Sequence, residues 1–286
     1  MATINYGTTA FVAAAVREMW DNQLQKKIYA RSISRNLAGA VRYILNSSQG
    51  ANKTLEWTRS TGISDGGDNV WDIANADETL PNVDYGLTTK TVTADMRGAY
   101  VKQKIDVMQD QEGFVVPDIM DSLAERMANI ENKLFISTID ATTNVAVDGA
   151  VGDDNVALTL VEAMKGVTDI KNAEGECLYI LMNPNTVQTL ADDMIDASII
   201  GDNEFLRRRA VGSLFGATVI ETTYVADNVL YYLGQDAVRM YERMPYTMTN
   251  GVPSAIHVIE QFAIKARFGF ALDREEFVVK SIFNGE

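Results

Sequence analysis

The sequence predicts an α+β protein. Three observations carry that reading: one long amphipathic helix in the first half, a long strictly alternating strand near the end, and between them a block in which helices and strands alternate. With 286 residues the chain suits one large domain or two modest ones, and folding at this size buries roughly 75% of the unfolded surface. Hydrophobic residues make up 47% and charged residues 22%, a composition that fills a core.

Residues 9–24 place Phe11, Val12, Ala15, Val16, Met19, Trp20 and Leu24 on one side of an amphipathic helix. A basic stretch containing Ser and Asn follows to about Leu45. Residues 1–50 hold six basic groups (Arg17, Lys26, Lys27, Arg31, Arg35, Arg42) against Glu18 and Asp21, so the rest of the chain carries –18 of the total –14. A basic arm on an acidic body is expected to pair with neighbouring copies of the chain. A pI near 4.6 argues against a protein that grips nucleic acid over its whole surface.

Between Gln49 and Asp106 the character changes. Thr54–Thr58 and Thr88–Ala94 are rich in β-branched residues and read as strands. The polar, Gly-rich run Ile63–Asn69 and the acidic run Asn75–Glu78 separate them. This is a long hairpin with little apolar matter of its own, and such hairpins need a partner.

The clearest helix is expected to begin at Pro117, since proline suits the first helical position and Asp118 and Asp121 suit the first turn. Ile119, Leu123, Met127, Ile130 and Leu134 form its apolar stripe, with Asp121, Glu125, Asn129 and Asn132 off it. A run to Ile139 spans about 35 Å. In residues 156–234, Leu160, Met164, Val167 and Ile170 mark a helix ending near Gly175. Cys177–Met182 is a buried-strand run, and Asn183-Pro184 opens a second helix through Leu190. Strands resume at Ala217–Ile220 and Val229–Leu233. From Ile256, the residues Ile256, Val258, Phe262, Ile264, Ala266, Phe268 and Phe270 share one strand face, and Phe277–Phe283 offers a final short strand.

The residue inventory excludes much chemistry. Cys177 is the only cysteine and His257 the only histidine, so neither an internal disulfide nor a Cys/His zinc site can form. His257 sits on a charged strand face with no Gly-x-Ser-x-Gly elbow anywhere, and Cys177 opens an apolar strand, where cysteine behaves as a small hydrophobe. The pairs Asp65/Asp68, Asp153/Asp154 and Asp192/Asp193 lack EF-hand spacing and read as solvated loop acids. No phosphate-binding glycine motif occurs. No cofactor, metal or catalytic residue is expected. The seven-residue apolar run Ala10–Val16 is neither a signal peptide nor a membrane span, so a cytoplasmic site of synthesis and no membrane partner are expected.

The order of elements resembles the major capsid proteins of tailed phages and related archaeal viruses, the Hong Kong-type fold. Met182-Asn183-Pro184-Asn185-Thr186 looks like the strand-to-helix turn of that family's axial domain. Gly212-Ser213-Leu214-Phe215-Gly216-Ala217-Thr218-Val219-Ile220 looks like its glycine-flanked loop-to-strand segment, and Tyr231–Val238 like the strand that follows. The resemblance implies an N-terminal arm over residues 1–49 and an extended β-hairpin loop over 50–105 lying on a neighbouring subunit. It implies a peripheral domain over 106–155 and 251–286 with a spine helix at 117–139, and an α/β axial domain over 156–250. It also implies a shell of hexamers and pentamers enclosing double-stranded DNA, non-specific contact with that DNA, a portal protein, and the virion as location after assembly in host cytoplasm. Some relatives carry an N-terminal scaffolding extension; here the hairpin begins within about fifty residues, which implies a separate scaffold protein or none, with a decoration protein as a further possible partner.

Arg207-Arg208-Arg209 directly follows an acid-only stretch that includes Asp192 and Asp193. It reads either as a solvated loop or as a clamp on the acidic stretch of the next copy. On the hairpin, Trp57, Arg59 and Trp71 are further candidates for contact with a neighbour. Two alternatives stand beside the capsid reading: a nanocompartment (encapsulin-like) shell of the same fold, and a soluble α/β enzyme or ligand-binding protein using the 156–234 block.

Overall fold

The computed structural model describes residues 21–45, 53–63, 85–149, 156–196, 212–250 and 259–283. Of the first expected helix, the part before Asp21 lies outside them. From residue 21 the chain is helical to 31 (α1), well past Leu24. One face explains this: Leu24 and Ile28 are fully buried four residues apart. A single turn, α2 (Ile33–Asn36), leads into β1 (Val41–Leu45).

The hairpin is present as β2 (Thr54–Ile63) and β3 (Tyr85–Thr93), antiparallel, in register from Thr54↔Thr93 to Ile63↔Tyr85. Its expected Gly-rich tip and the Asn75–Glu78 run lie outside the described residues. β4 (Asp95–Lys104) follows and runs straight into α3 (Ile105–Asp140). The helix therefore starts twelve residues before the expected Pro117, which sits inside it. Proline there costs the bond to the carbonyl of Gly113 and crowds it. That local loss of about 3 kcal/mol does not end a helix whose remaining turns keep their ladder. At 1.5 Å per residue α3 spans about 54 Å rather than about 35 Å. The expected stripe is buried at Ile119, Leu123 and Met127 and partly buried at Ile130 and Leu134. Asn132 departs from expectation: placed off the stripe, it is 2% exposed.

Two sheets share one apolar core. A four-stranded sheet runs β1–β10–β11–β4, with β10 (Val238–Asn250) and β11 (Ile259–Leu272) at its centre. The alternation expected from Ile256 is seen where described: Phe262, Ile264, Ala266 and Phe268 are buried, Lys265 exposed. α3 lies across β11 and β4. A six-stranded sheet runs β5–β12–β9–β6–β8–β7, comprising β5 (Val145–Asp148), β6 (Cys177–Met182), β7 (Ser213–Leu214), β8 (Ala217–Glu221), β9 (Val229–Gly234) and β12 (Val278–Ile282). Two helices, α4 (Leu160–Asn172) and α5 (Pro184–Asp196), belong to this half. Asn183 caps α5 as expected, its Oδ1 accepting from the Asn185 amide at 3.0 Å. The Phe215-Gly216 turn between β7 and β8 has positive φ at both positions (56° and 90°), the requirement of a tight type I′ hairpin turn.

Sheet membership divides the chain differently from the expected blocks 156–250 and 251–286. β10 sits with β11, while β12 crosses back to pair with β9 and β5. The reason is non-local main-chain pairing, which leaves no periodicity in sequence. The switch points are short: Gln235–Ala237 hands the chain from β9 to β10, and Asp273–Phe277 hands it back.

Close packing makes one glycine indispensable. A Cβ on Gly166 of α4 would fall 2.3 Å from the ring of Tyr232, which is fully buried and donates to the Ala163 carbonyl at 2.7 Å. Helix propensity alone favours Gly166→Ala by about 1 kcal/mol. Overlap with a ring that has nowhere to go reverses the sign, and the variant is expected to lose about 1–3 kcal/mol in denaturant unfolding. An unchanged midpoint would show that the α4–β9 contact has slack.

Candidate functional site

The polar chemistry of the chain is concentrated at two buried joints. At the first, the Glu131 carboxylate of α3 is 0% exposed. Its Oε1 accepts from Ser34 Oγ at 2.8 Å and Arg35 Nε at 3.1 Å, and Ser32 Oγ also donates to it. Its Oε2 accepts from the Tyr246 hydroxyl of β10. Arg35 extends a second arm, Nη2 to Glu242 Oε2 at 2.9 Å, and lies 3.9 Å over the ring of Tyr29. Glu242 Oε1 is buried with no hydrogen-bond partner. Burial raises the Glu242 carboxyl above its ordinary range, against the pull of Arg35. Nearby, Asn132 accepts from the Ile33 amide at 2.8 Å and donates to the Arg31 carbonyl at 3.1 Å.

This joint corrects the expected N-terminal arm for the residues described. Residues 21–45 are built into their own subunit: Leu24, Ile28, Leu37 and Ala40 are fully buried, and β1 pairs in parallel with β10. Lys27 pairs with Asp121 of the same chain at 2.8 Å. The local excess of positive charge was real, but the partners of Arg35 stand 96 and 207 positions away in the same chain. One signal was available. Glu131 falls four residues after Met127 and four before Phe135, on the buried side of the helix, where a carboxylate must have a partner.

The second joint holds the hairpin. Asp273, 3% exposed, accepts from Trp57 Nε1 at 2.7 Å and from Arg239 Nη2 at 2.6 Å. Arg239 also stacks 4.3 Å from the Trp57 ring. Arg59 donates to the Asp273 carbonyl at 3.0 Å and pairs with Glu276. A small apolar cluster of Val92, Ala94 and Tyr241, with Leu55 and Trp57 against it, seals the base. Trp57 and Arg59, expected to face a neighbour, are thus anchored within the chain, Trp57 on the buried Asp273 carboxylate and Arg59 on the Asp273 carbonyl and Glu276, at the crossing that follows β11. β4, the end of the expected extended loop, is a strand of that sheet.

Asp193 is likewise occupied: its Oδ2 accepts from the Leu160 amide at 2.9 Å, capping α4 together with Thr159. Asp192 is exposed on α5. Trp71, Arg207, Arg208, Arg209 and His257 lie outside the described residues, as do Asp65/Asp68 and Asp153/Asp154. Cys177 is buried, and burial pushes its thiol up to about 12, so it is no nucleophile. Among the described residues no group of acidic, His and Cys side chains could hold a metal ion.

What remains for contact with other molecules is surface. β1 and β4 are the edges of the four-stranded sheet, and β5 and β7 those of the six-stranded sheet. Met96 and Tyr100 on β4 are 56% and 66% exposed, and Leu45 on β1 is 71% exposed. Val161 and Met164 present a further apolar face on α4. Apolar edge strands with unpaired main chain are templates for strand addition.

The sequence matches the family described as phage capsid protein over residues 101–281. Solved structures share the fold at low identity. A capsid of Helicobacter pylori bacteriophage KHP30 superposes with a TM-score of 0.66 at 10% identity, covering 88% of this chain and 91% of that one. A structure from Microbacterium phage Oxtober96 gives 0.64 at 13% identity, covering 89% and 91%. A virus-like particle from Pyrococcus furiosus gives 0.61 at 14%, covering 93% and 99%. No curated protein matches the sequence.

Two predictions follow from the first joint. Arg35→Met leaves two buried carboxylates without their cation and is expected to cost about 3–5 kcal/mol in denaturant unfolding. For Glu242 the sign is set by a folded-state pKa raised above 4.5. Its favourable contribution is complete below that value and is lost as pH rises through the folded pKa. Glu242→Gln is therefore expected to flatten the decline in stability that sets in as pH rises through the raised carboxyl pKa. Parallel pH curves for the two proteins would remove Glu242 as the group responsible.

Proposed function

We propose that this chain, which belongs to the phage capsid protein family, builds an icosahedral shell of hexamers and pentamers around a double-stranded DNA genome. Membership makes it a structural component of a virion capsid and not an enzyme. The finer statements are our reading: hexamers and pentamers, packaged DNA held without sequence preference, a portal protein, a separate scaffold or decoration protein, and assembly in host cytoplasm. In the same reading the six-stranded half clusters around the symmetry axes and the four-stranded half with α3 lies at the periphery.

One observation carries the assembly. β2 and β3 form a two-stranded ribbon that pairs with no other strand among the described residues, yet its base is tied to the body by Trp57, Arg59 and Asp273. An isolated two-stranded ribbon is marginal in water. A ribbon with a fixed base and no third strand among the described residues is what a subunit needs if a second copy is to add contacts to it. Main-chain pairing at the β1 and β4 edges tolerates the differing settings that copies meet in one shell.

A nanocompartment shell is the second reading, favoured by the likeness to the Pyrococcus furiosus virus-like particle, which covers nearly all of that chain. The contents of purified particles separate the two: DNA supports the first, a protein cargo the second.

Expressed alone or with a scaffold, the protein is expected to sediment as closed particles visible by electron microscopy. A compact monomer at high concentration under both conditions overturns the reading. Replacing Arg207, Arg208 and Arg209 with Ala is expected to leave the subunit folded by circular dichroism and to lower shell yield by roughly tenfold, the effect of losing an inter-subunit charge clamp. Unchanged yield would return those arginines to a solvated loop.

A further inference from the structure

Where β1, the base of the hairpin and the Asp273–Phe277 crossing meet, the subunit has a polar cleft of about 340 Å³. Arg42, Arg59, Arg239 and Arg274 line it, with Asp236 and Asp273 as the acids on its wall. Four guanidiniums on one lining stand out in a chain of net charge –14. Two are committed: Arg239 to Asp273 at 2.6 Å, and Arg59 to Glu276 and the Asp273 carbonyl. Arg42 and Arg274 form no ion pair among the described residues. Arg42 is exposed on β1, and Arg274 stands 5.3 Å over the ring of Phe277, acting on Glu276 only through its field.

Sheet register sets two of these arginines side by side. Arg42 on β1 and Arg239 on β10 are direct partners in a parallel pair, so their side chains leave the same face of the sheet. Like charges opposed across a strand pair are destabilising. Asp273 answers Arg239, and Arg42 is left unanswered. An anion held between them removes that penalty. With Glu276 included, four cations meet three carboxylates, which leaves one positive charge over. One phosphodiester carries one negative charge.

We propose that this cleft is a binding site for a phosphate group. A carboxylate has two oxygens, which a single guanidinium fork occupies. A phosphate presents its oxygens in a tetrahedron and accepts from several arginines at once. The one aromatic ring of the lining, Trp57, is stacked by Arg239 at 4.3 Å and so is engaged by a guanidinium rather than open to a base. Binding is therefore expected to be independent of nucleotide sequence. Two sources supply the group: a nucleic-acid backbone and free inorganic phosphate. The site rests on the cleft itself; only its use on a packaged genome rests on the shell reading above, which names no residue for that contact.

Anisotropy of a short labelled duplex, titrated with the unassembled full-length subunit at low salt, tests the site. Arg42→Gln with Arg274→Gln is expected to weaken binding roughly tenfold for every duplex sequence. The salt dependence of log K is expected to become shallower by about one to two. Lys133→Gln with Lys265→Gln removes the same charge at exposed positions on α3 and mid-β11, and is expected to keep most of the wild-type affinity. Inorganic phosphate, against chloride at equal ionic strength, is expected to raise the wild-type unfolding midpoint by about 2–4 °C and to leave the arginine variant unmoved. Should the double arginine variant not fold by circular dichroism, Arg42→Gln alone, at an exposed position, carries the test.

Duplex binding that the arginine variant loses and the lysine variant keeps upholds the site and assigns it to nucleic acid. A midpoint raised by phosphate without duplex binding upholds it and assigns it to the free ion. Equal loss from the two variants, or a wild type that responds to neither duplex nor phosphate, overturns the inference. So does an arginine variant that binds both as the wild type does but forms no particles, which would give the cleft to an acidic surface of another copy. Particle formation by the wild type is scored separately: its failure removes the shell reading and leaves the phosphate site standing.

Discussion

Arg35 is the single cation between two carboxylates that water does not reach, Glu131 on α3 and Glu242 on β10. Desolvating three charges is expensive, and the arrangement persists only because nearly every lone pair is answered, by Ser34, Ser32 and Tyr246 as well as the guanidinium. Such a joint tolerates little displacement. It sets the N-terminal segment, the long helix and the central strand of the four-stranded sheet in one relation, and β1 then takes its place beside β10. Lys27 and Arg35 spend their charge inside the subunit, on Asp121 and on Glu131 and Glu242.

Asp273 does the same for the other half of the molecule. It sits at the crossing from β11 to β12, where the chain leaves one sheet for the other, and binds Arg239 at the start of β10 and Trp57 on the hairpin. The hairpin thereby leaves the body from a fixed base. The body of the subunit is thus held by two buried ionic joints, and the two-stranded ribbon leaves it from a base tied down by Trp57 and Arg59. Exposed apolar residues stand on β1 and β4, the edges of the four-stranded sheet.

The elements that could be read from residue pattern were those set by local periodicity. The alternation of Phe262, Ile264, Ala266 and Phe268 gave a strand with one buried face, and the four-residue spacing of Ile119, Leu123 and Met127 gave the buried stripe of α3. Asn183-Pro184 marked a helix start because capping is local chemistry. Pro117 misled for the same reason: its local preference for a first turn is real, and only the continuation of the ladder on both sides made it an interior residue. Trp57, Arg59 and Asp193 were read as candidates for contact with a neighbouring copy, because each partner within the chain lies far away in sequence, Asp273, Glu276 and Leu160.

By itself the sequence determined the fold class, most of the helices and strands, the exclusion of Cys/His metal and disulfide chemistry, and a family resemblance that the match over residues 101–281 supports. These follow from backbone periodicity, capping and composition, which act over a few residues. The tertiary structure alone decided which strands share a sheet, that β12 returns to the six-stranded half, and that Arg35, Glu131, Glu242 and Asp273 hold the subunit together. Those are pairings across dozens to hundreds of positions, and a charge has no partner until the chain has folded around it.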